Sequence, residues 1–209
     1  MRIAVVVLNY KGWQDTKKCL AALRRQTYTD FEIYLIDNGS GDDSVKELSK
    51  IKMRNLHFHQ EPKNTGFTGG VNIGIKWAMK HEFEAVALLN NDANVEPGWL
   101  EELAGGFNHS EEIGAVTSLM LDTTGKFIDD AGDDYSTWGI PSLRAEKLPK
   151  KDAPESGLVF GGTGGATLYK TEVFKKIGLF DEDFFAYSED VDIDWRMQLA
   201  GYKVWYEKS

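Results

Sequence analysis

Carboxylate side chains stand at three places in the sequence where they could do chemistry. Asp37 and Asp92 each follow a short apolar run, and the segment from Ser188 to Asp194 holds four acids. A carboxylate can accept hydrogen bonds from ribose hydroxyls or a base N–H, and carboxylates together with phosphate oxygens suit Mg²⁺ or Mn²⁺. Repulsion among neighbouring acids raises the pKa of at least one of them, which suits a general base.

Each of these acids also has a purely structural interpretation. Asp37 begins the turn-forming sequence Asp37-Asn38-Gly39-Ser40, and that residue alone favours neither interpretation. Asn90-Asn91-Asp92 is by itself an ordinary turn. Acids at the start of a helix are stabilised by its dipole, which accounts for some of the acids that follow Ser188. Four acids in this short segment nevertheless exceed what capping requires.

Alternating apolar runs and helical stretches predict the elements that position these residues. Strands joined by helices form right-handed crossovers and a mostly parallel sheet. Ligands bind beyond the carboxyl ends of the strands in such a sheet, where Asn9, Asp37 and Asp92 are expected to lie. The main predicted elements are strands at 3–8, 33–36, 57–59, 85–89 and 203–206, and helices at 15–25, 44–50, 70–80, 171–177 and 189–200.

The second half of the sequence is less regular. Residues 129–154 hold clustered Asp, Gly, Ser and Lys with few apolar anchors, which predicts a long, mobile surface excursion. The glycine-dense segment 160–166 predicts either a tight turn beside a packed helix or a ligand contact. In the last predicted helix, Val191, Trp195 and Leu199 recur at four-residue spacing and are predicted to form its apolar face.

Composition disfavours several classes of protein. The 209 residues carry 24 Lys and Arg against 33 Asp and Glu, a net charge of −9, which argues against nucleic acid as a partner. The single cysteine, Cys19, excludes an intrachain disulfide framework and a Cys-based zinc site. Neither a P-loop nor a G-x-G-x-x-G after the first strand is present. Without a cleavage-site pattern or an apolar run of membrane-spanning length, we expect a cytoplasmic protein.

Five segments of the chain occur in an order that is typical of one enzyme family. They are residues 6–10 (VVLNY), 36–40 (IDNGS), 64–74 (NTGFTGGVNIG), 88–92 (LLNND) and 184–192 (FFAYSEDVD). Together they resemble glycosyltransferase family 2, and within it the rhamnosyltransferase-like branch with the GT-A fold. The resemblance extends from residue 3 to about residue 206.

This resemblance implies an α/β protein with the GT-A fold, a mostly parallel central sheet flanked by helices. Residues 1–209 would form one catalytic domain, with a nucleotide-sugar-binding half at 1–95 and an acceptor and catalytic half at 96–209. The implied reaction is inverting, metal-dependent transfer of a sugar from a UDP- or dTDP-sugar to a hydroxyl. The implied acceptor is a glycan or a lipid-linked molecule, as in polysaccharide or cell-surface glycan synthesis, which would place the protein at the inner face of the cell membrane.

The resemblance also implies roles for individual residues. Asp92 would hold a divalent cation, Mn²⁺ or Mg²⁺, and Asp190 would be the catalytic base, paired with Glu189. The residues that would bind the donor are Asn9, Tyr10, Asp37, Asn64, Gly66, Phe67, Asn72 and Asn91.

Two departures from the family pattern bear on activity. The first position of the D-x-D metal motif is Asn90, so Asp92 is expected to be the only protein carboxylate on the metal. Family members usually continue beyond the last predicted strand, often with a metal-binding His, so the chain is interpreted as a catalytic core cut short. A nucleotide-sugar-binding module of the same fold without turnover is therefore a second hypothesis. An acidic scaffold whose loop acids only form turns is a third.

Overall fold

Strands and helices alternate along most of the chain, of which a computed structural model describes residues 1–208. The strands are β1 (Ile3–Asn9), β2 (Phe31–Asp37), β3 (Leu56–Gln60), β4 (Ala85–Asn90), β5 (Ile113–Ser118), β6 (Met120–Leu121), β7 (Ile128–Asp130), β8 (Asp133–Tyr135), β9 (Pro141–Leu143), β10 (Gly157–Val159), β11 (Ala166–Lys170) and β12 (Lys203–Glu207). The helices are α1 (Trp13–Leu23), α2 (Ser44–Leu48), α3 (Gly66–Lys80), α4 (Trp99–Gly106), α5 (Thr171–Ile177) and α6 (Glu189–Leu199).

Over the described residues, eight strands form one sheet in the order β10-β12-β5-β11-β4-β1-β2-β3. Strands β1 to β4 are mutually parallel, and β1 lies between β2 and β4. Successive residues of β1 point to opposite faces, so that Val5 packs with Leu20 of α1 and Val6 with Ile75 of α3. The predicted mostly parallel sheet flanked by helices is therefore confirmed.

Strand β11 reverses the direction of the sheet at its centre. It is antiparallel to both β4 and β5, and Ala166 at its start pairs with Leu89 near the end of β4. The segment that leads into β11, residues 161–165, consequently reaches the edge of the sheet where β1, β2 and β4 end. The reversal therefore brings a loop from the second half of the chain to the strand ends of the first half.

The prediction for the buried face of α6 is wrong. Leu199 is 81% exposed and Trp195 is 39% exposed. Trp195 stacks edge-on against Tyr135 and Phe160 instead of entering the core. Four-residue spacing fits two faces of this helix equally well, and the face that packs inward consists of Glu189, Ile193, Asp194 and Met197.

The prediction of a surface excursion over residues 129–154 is wrong at the root of this segment. Asp130 and Asp133 are 3% and 5% exposed, and β8 joins the main body through hydrogen bonds between Asp133 and Gly161. The tip, in contrast, extends into solvent, where Trp138 is 88% exposed. Among residues 1–208, none of the helices combines the length and apolar character needed to cross a bilayer.

Candidate active site

The polar strand ends predicted from the sequence lie together at one edge of the sheet. Asn9, the last residue of β1, pairs with Asp37, the last residue of β2. On the other side of β1, Leu8 pairs with Asn90, the last residue of β4. The strand ends that carry the predicted donor and metal residues are therefore direct neighbours, as expected for parallel strands.

Asn9 and Asp37 belong to a buried network with Thr16 and Ser40, which we call the Asn9 network. The Asn9 amide donates to Asp37 Oδ2 (2.8 Å) and to Ser40 Oγ (3.2 Å). Thr16 Oγ1 donates to Asn9 Oδ1 (2.8 Å). Ser40 donates to Asp37 from its hydroxyl (2.6 Å) and its backbone N–H (3.1 Å). The turn-forming interpretation of Asp37 is confirmed, and its contact with a nucleoside stays a prediction.

Asp92 and Tyr10 lie beyond this network on the solvent side. Tyr10 is 45% exposed, and Asp92 is exposed and makes no hydrogen bond or ion pair within the described part of the chain. Asn91 turns inward, donating from its amide to Thr16 Oγ1 (3.0 Å) and to the Gly12 carbonyl (3.3 Å). The fixed Asn91 amide anchors the loop whose next side chain is the free Asp92 carboxylate.

The loop before α3 is fastened to the end of β2 by amide side chains. Asn38 donates to Asn64 Oδ1 (3.0 Å) and to the Gly66 carbonyl (2.9 Å), and Asn64 Oδ1 also accepts from the Gly66 N–H (2.8 Å). Gly66 has φ +77°, and a Cβ there would overlap the Phe185 carbonyl oxygen. Asn64 and Gly66, two of the residues predicted to bind the sugar donor, thus fix the shape of this loop in the free protein.

Asn72 and Phe67 connect α3 to the segment that precedes α6. Asn72 donates to the Phe180 carbonyl (2.8 Å) and to Glu182 Oε1 (3.2 Å), and its Oδ1 accepts from the Phe180 N–H (3.1 Å). The Phe67 ring meets the Phe180 ring edge-on at 6.4 Å. The Asn72 amide is buried, and both its nitrogen and its oxygen take part in these hydrogen bonds. It therefore links the two halves of the chain and does not face open space.

The residues immediately before α6 are held in an uncommon backbone conformation. Phe185, Tyr187 and Ser188 have φ values of +59°, +75° and +67°. Residues other than glycine rarely adopt positive φ, and clusters of such residues mark functional sites. The Phe185 carbonyl accepts from the Thr68 N–H (3.2 Å), which fixes this strained segment to the start of α3.

The two acids predicted to act in proton removal, Glu189 and Asp190, are the first residues of α6. Asp190 is half-buried, and its Oδ1 accepts from the Val191 N–H (2.9 Å). Glu189 is 7% exposed, its Oε2 has no partner within residues 1–208, and burial followed by the charge of Asp190 raises its pKa. Asp192 points elsewhere and pairs with Arg196 at 2.6 Å.

Sequence reasoning did not predict that Asp130 and Asp133 lie close to two acids of α6. We call this group the aspartate cluster: Asp130, Asp133, Asp190 and Asp194. Burial and then neighbouring carboxylates raise the pKa of Asp133 to about 7. Burial likewise raises the pKa of Asp130 to about 6 and that of Asp194 well above its usual value. No signal in the sequence distinguishes Asp130 and Asp133 from their exposed neighbours Asp129 and Asp134.

A divalent cation at this edge would need oxygen ligands. In the chain as described, no three His, Cys, Asp or Glu side chains converge closely enough to hold a metal ion by themselves. Mg²⁺ and Mn²⁺ need only one or two carboxylates when phosphate oxygens and waters supply the other ligands. The exposed, unpaired Asp92 carboxylate fits such a site.

The fold is shared with solved structures of glycosyltransferases. GalNAc-T7 with UDP, GalNAc and Mn²⁺ covers 99% of this chain and 42% of its own, with a TM-score of 0.77 and 17% identity. Staphylococcus aureus TarS 1-349 in complex with UDP-GlcNAc covers 100% of this chain and 59% of its own, with a TM-score of 0.69 and 18% identity. The chain therefore has the GT-A fold.

Similarity in sequence assigns the chain to one family among the proteins that share this fold. The sequence model of the family described as Glycosyl transferase family 2 matches residues 3–178, and the chain belongs to this family. The poly-beta-1,6-N-acetyl-D-glucosamine synthase of Staphylococcus aureus (strain COL) is 28% identical over 199 residues, which is 93% of this chain and 44% of that protein. The chain spans about half the length of the curated relatives it matches.

Proposed function

We propose that this chain is the catalytic core of an inverting, metal-dependent glycosyltransferase that moves a sugar from a UDP- or dTDP-sugar to a hydroxyl acceptor. The observation that carries the proposal is the meeting of two dissimilar polar groups at one sheet edge. The fully bonded Asn9 network suits recognition of a nucleoside, and the acids at the start of α6 suit proton removal.

In this mechanism Asp190 removes the proton from the acceptor hydroxyl while the acceptor oxygen bonds to C1 of the sugar. The bond from C1 to the diphosphate oxygen breaks, and its electron pair leaves with the diphosphate. Attack in line with the departing oxygen inverts the configuration at C1. Asp192 is engaged with Arg196 and Glu189 is more deeply buried, so Asp190 is the acid best placed to meet an acceptor.

Asp92, together with diphosphate oxygens and water, would hold the divalent cation. When bound, the cation offsets the negative charge that develops on the leaving diphosphate. A chain of net charge −9 needs such compensation to bind a diphosphate. The solved relatives with UDP and Mn²⁺, or with GDP-Man and Mn²⁺, support this part of the proposal by likeness.

We infer a role in polysaccharide or cell-surface glycan synthesis, with a glycan or lipid-linked acceptor at the membrane surface, from the relative that makes poly-beta-1,6-N-acetyl-D-glucosamine. The proposed donor is a UDP- or dTDP-sugar, and a solved structure of the same fold holds UDP-GlcNAc. The division into a nucleotide-sugar half at 1–95 and an acceptor half at 96–209 is part of the proposal.

Ligand-induced thermal stabilisation and donor hydrolysis test the proposal together. UDP-GlcNAc, dTDP-rhamnose and GDP-Man are each added with Mn²⁺ or with EDTA. We expect a UDP or dTDP donor at one hundred times its Kd to stabilise the chain by about 2.7 kcal/mol, and to be hydrolysed only with Mn²⁺. Binding without hydrolysis or transfer would favour the nucleotide-sugar-binding module. Stabilisation by none of these donors would favour the acidic scaffold.

A further inference from the structure

The segment 161–165 connects the helix of the candidate base to the strand that leads to Asp92. At one end, the Gly162 N–H donates to Asp194 Oδ2 (3.0 Å). At the other end, the Asn90 N–H donates to the Gly165 carbonyl (2.9 Å). A Cβ at Gly165 would lie 2.9 Å from the side-chain nitrogen Nδ2 of Asn90, so this end is closely packed as well. We call residues 161–165 the glycine bridge.

Asp194 is the attachment point of the glycine bridge on α6. It follows Asp190 by one helical turn and therefore lies on the same side of the helix. It is 1% exposed, and a Cβ at Gly161 would overlap its carboxylate. Only a glycine lets the backbone approach the carboxyl group this closely, which explains why the bond to Gly162 can form.

The second oxygen of Asp194 indicates the protonation state of this group. Oδ1 is buried and has no hydrogen-bond partner within residues 1–208. The titratable groups that face Asp194 are Asp130 and Asp133 from the segment 128–135, Asp190 from its own helix and Tyr169 from β11. No cation is among them. A charged carboxylate is unfavourable in such surroundings, whereas a neutral acid keeps the bond to Gly162.

We propose that Asp194 is a positioning residue, which as a neutral carboxylic acid holds the glycine bridge against α6 and thereby fixes Asp190 relative to the strand end at Asn90. This role rests on the proposed function, because Asp190 needs a fixed position only if it serves a reaction at that edge. A displacement of about 1 Å at a distant support can lower a rate about 100-fold.

Two substitutions of Asp194 separate this role from a role for its charge. Asp194→Asn keeps the acceptor for Gly162 and is neutral, whereas Asp194→Ala removes the acceptor. We expect Asp194→Asn to keep at least a third of the wild-type kcat, with a pH–rate profile that superimposes on that of the wild type. We expect Asp194→Ala to lower kcat about 10- to 100-fold while the Kd for UDP changes less than twofold.

Ile193→Ala is the matched control for general destabilisation. Ile193 is the neighbouring buried residue of α6, and it packs into the apolar core away from Gly162. If the two Ala variants lower the melting temperature alike, only Asp194→Ala should lower kcat. Amide hydrogen exchange of a peptide covering 160–166 gives a readout independent of activity, and it should accelerate about tenfold in Asp194→Ala only.

Three results would overturn the positioning role. Loss of activity in Asp194→Asn equal to that in Asp194→Ala would show that the negative charge is needed. Unchanged exchange at 160–166 in Asp194→Ala would show that Asp194 does not hold the bridge. Equal losses of kcat in Asp194→Ala and Ile193→Ala would show a general effect of packing. Absence of transfer by the wild type with every donor contradicts the proposed function instead, and the exchange experiment still tests the bridge.

Discussion

The Asn9 network and the aspartate cluster lie toward the same edge of one sheet, but they differ in whether their buried carboxyl oxygens have hydrogen-bond partners. In the Asn9 network, both oxygens of Asp37 accept hydrogen bonds from Asn9 or Ser40. In the aspartate cluster, both oxygens of Asp130 and one oxygen of Asp194 are buried without a partner within residues 1–208. Natural proteins leave few buried polar groups unsatisfied, so the second arrangement requires an explanation.

Under the proposed function, this difference separates a network that would recognise the nucleoside from a cluster that includes the candidate base for proton transfer. A network whose donors and acceptors are all bonded keeps one geometry. Carboxyl groups with raised pKa values near neutral pH can exchange protons at little cost, and such groups concentrate in active sites.

The largest effect is expected at the candidate base. Asp190→Asn keeps the size of the side chain but cannot take a proton, and general-base assistance contributes about 10²–10⁴ in rate. We expect sugar transfer to fall at least 100-fold while the Kd for the donor stays within twofold, as measured by product formation and calorimetric titration. Glu189→Gln is the control, and a larger loss in that variant would assign the base to Glu189.

The next effect is expected in the Asn9 network. Asp37→Ala removes a charged acceptor, which costs about 1.5–3 kcal/mol. If Asp37 also contacts the nucleoside, the Kd for UDP or dTDP should rise about 10- to 150-fold. Titration calorimetry measures the affinity, and exposed Asp43→Ala in the same loop is the control. A lower melting temperature with unchanged affinity would restrict Asp37 to its role in the turn.

A smaller effect is expected at Asp92, whose carboxylate is the only protein ligand proposed for the cation. Asp92→Ala should weaken Mn²⁺-dependent nucleotide binding roughly tenfold, about 1.4 kcal/mol, and leave the melting temperature unchanged because this side chain is exposed. The control is Glu96→Ala, which removes the same charge four residues further along the chain. Nucleotide affinity that is insensitive to EDTA in the wild type would contradict the metal assignment.

The smallest effect concerns the pH dependence of stability. The pKa of Asp133 is about 7 in the folded protein and 3.8 in the reference state, so the folded protein binds more protons between these values. Its contribution to the free energy of unfolding is therefore complete below about pH 4 and is lost as the pH rises through about 7. Asp133→Asn should raise the melting temperature roughly 3–6 °C more at pH 8 than at pH 5.

Exposed Asp134→Asn is the control for this titration. Its side chain lies beside Asp133 in sequence but faces solvent, so its effect on the melting temperature should be nearly the same at pH 5 and pH 8. An equal pH dependence in both variants would mean that surface charge, and not the buried acid, is responsible.

The sequence predicts the strand ends well because the evidence for them is local. The apolar run from Ile3 predicts a strand by itself, and the structure extends that strand by one residue, to Asn9. Parallel pairing then follows from the alternation with helices, so the meeting of Asn9, Asp37 and Asn90 could be predicted without coordinates.

The aspartate cluster could not be predicted in this way because its burial depends on distant parts of the chain. Asp133 is buried by its pairing with Gly161, and Asp194 by the approach of the glycine bridge. In the sequence, Asp130 and Asp133 are indistinguishable from their exposed neighbours Asp129 and Asp134. The same limit explains the error in α6, where spacing alone could not select which face would meet the core.

Strand β12 also decides when the sheet can be completed during synthesis. It lies between β10 and β5, and its residue Lys203 pairs with Ile113, far away in the chain. Strands β1 to β4 can pair as soon as the first ninety or so residues have left the ribosome, whereas β10 and one edge of β5 stay unpaired until residues 203–207 emerge. Pairings so distant form slowly and leave strand edges bare in the meantime. We therefore expect nascent chains that stall before β12 to depend on chaperones and to aggregate through β5.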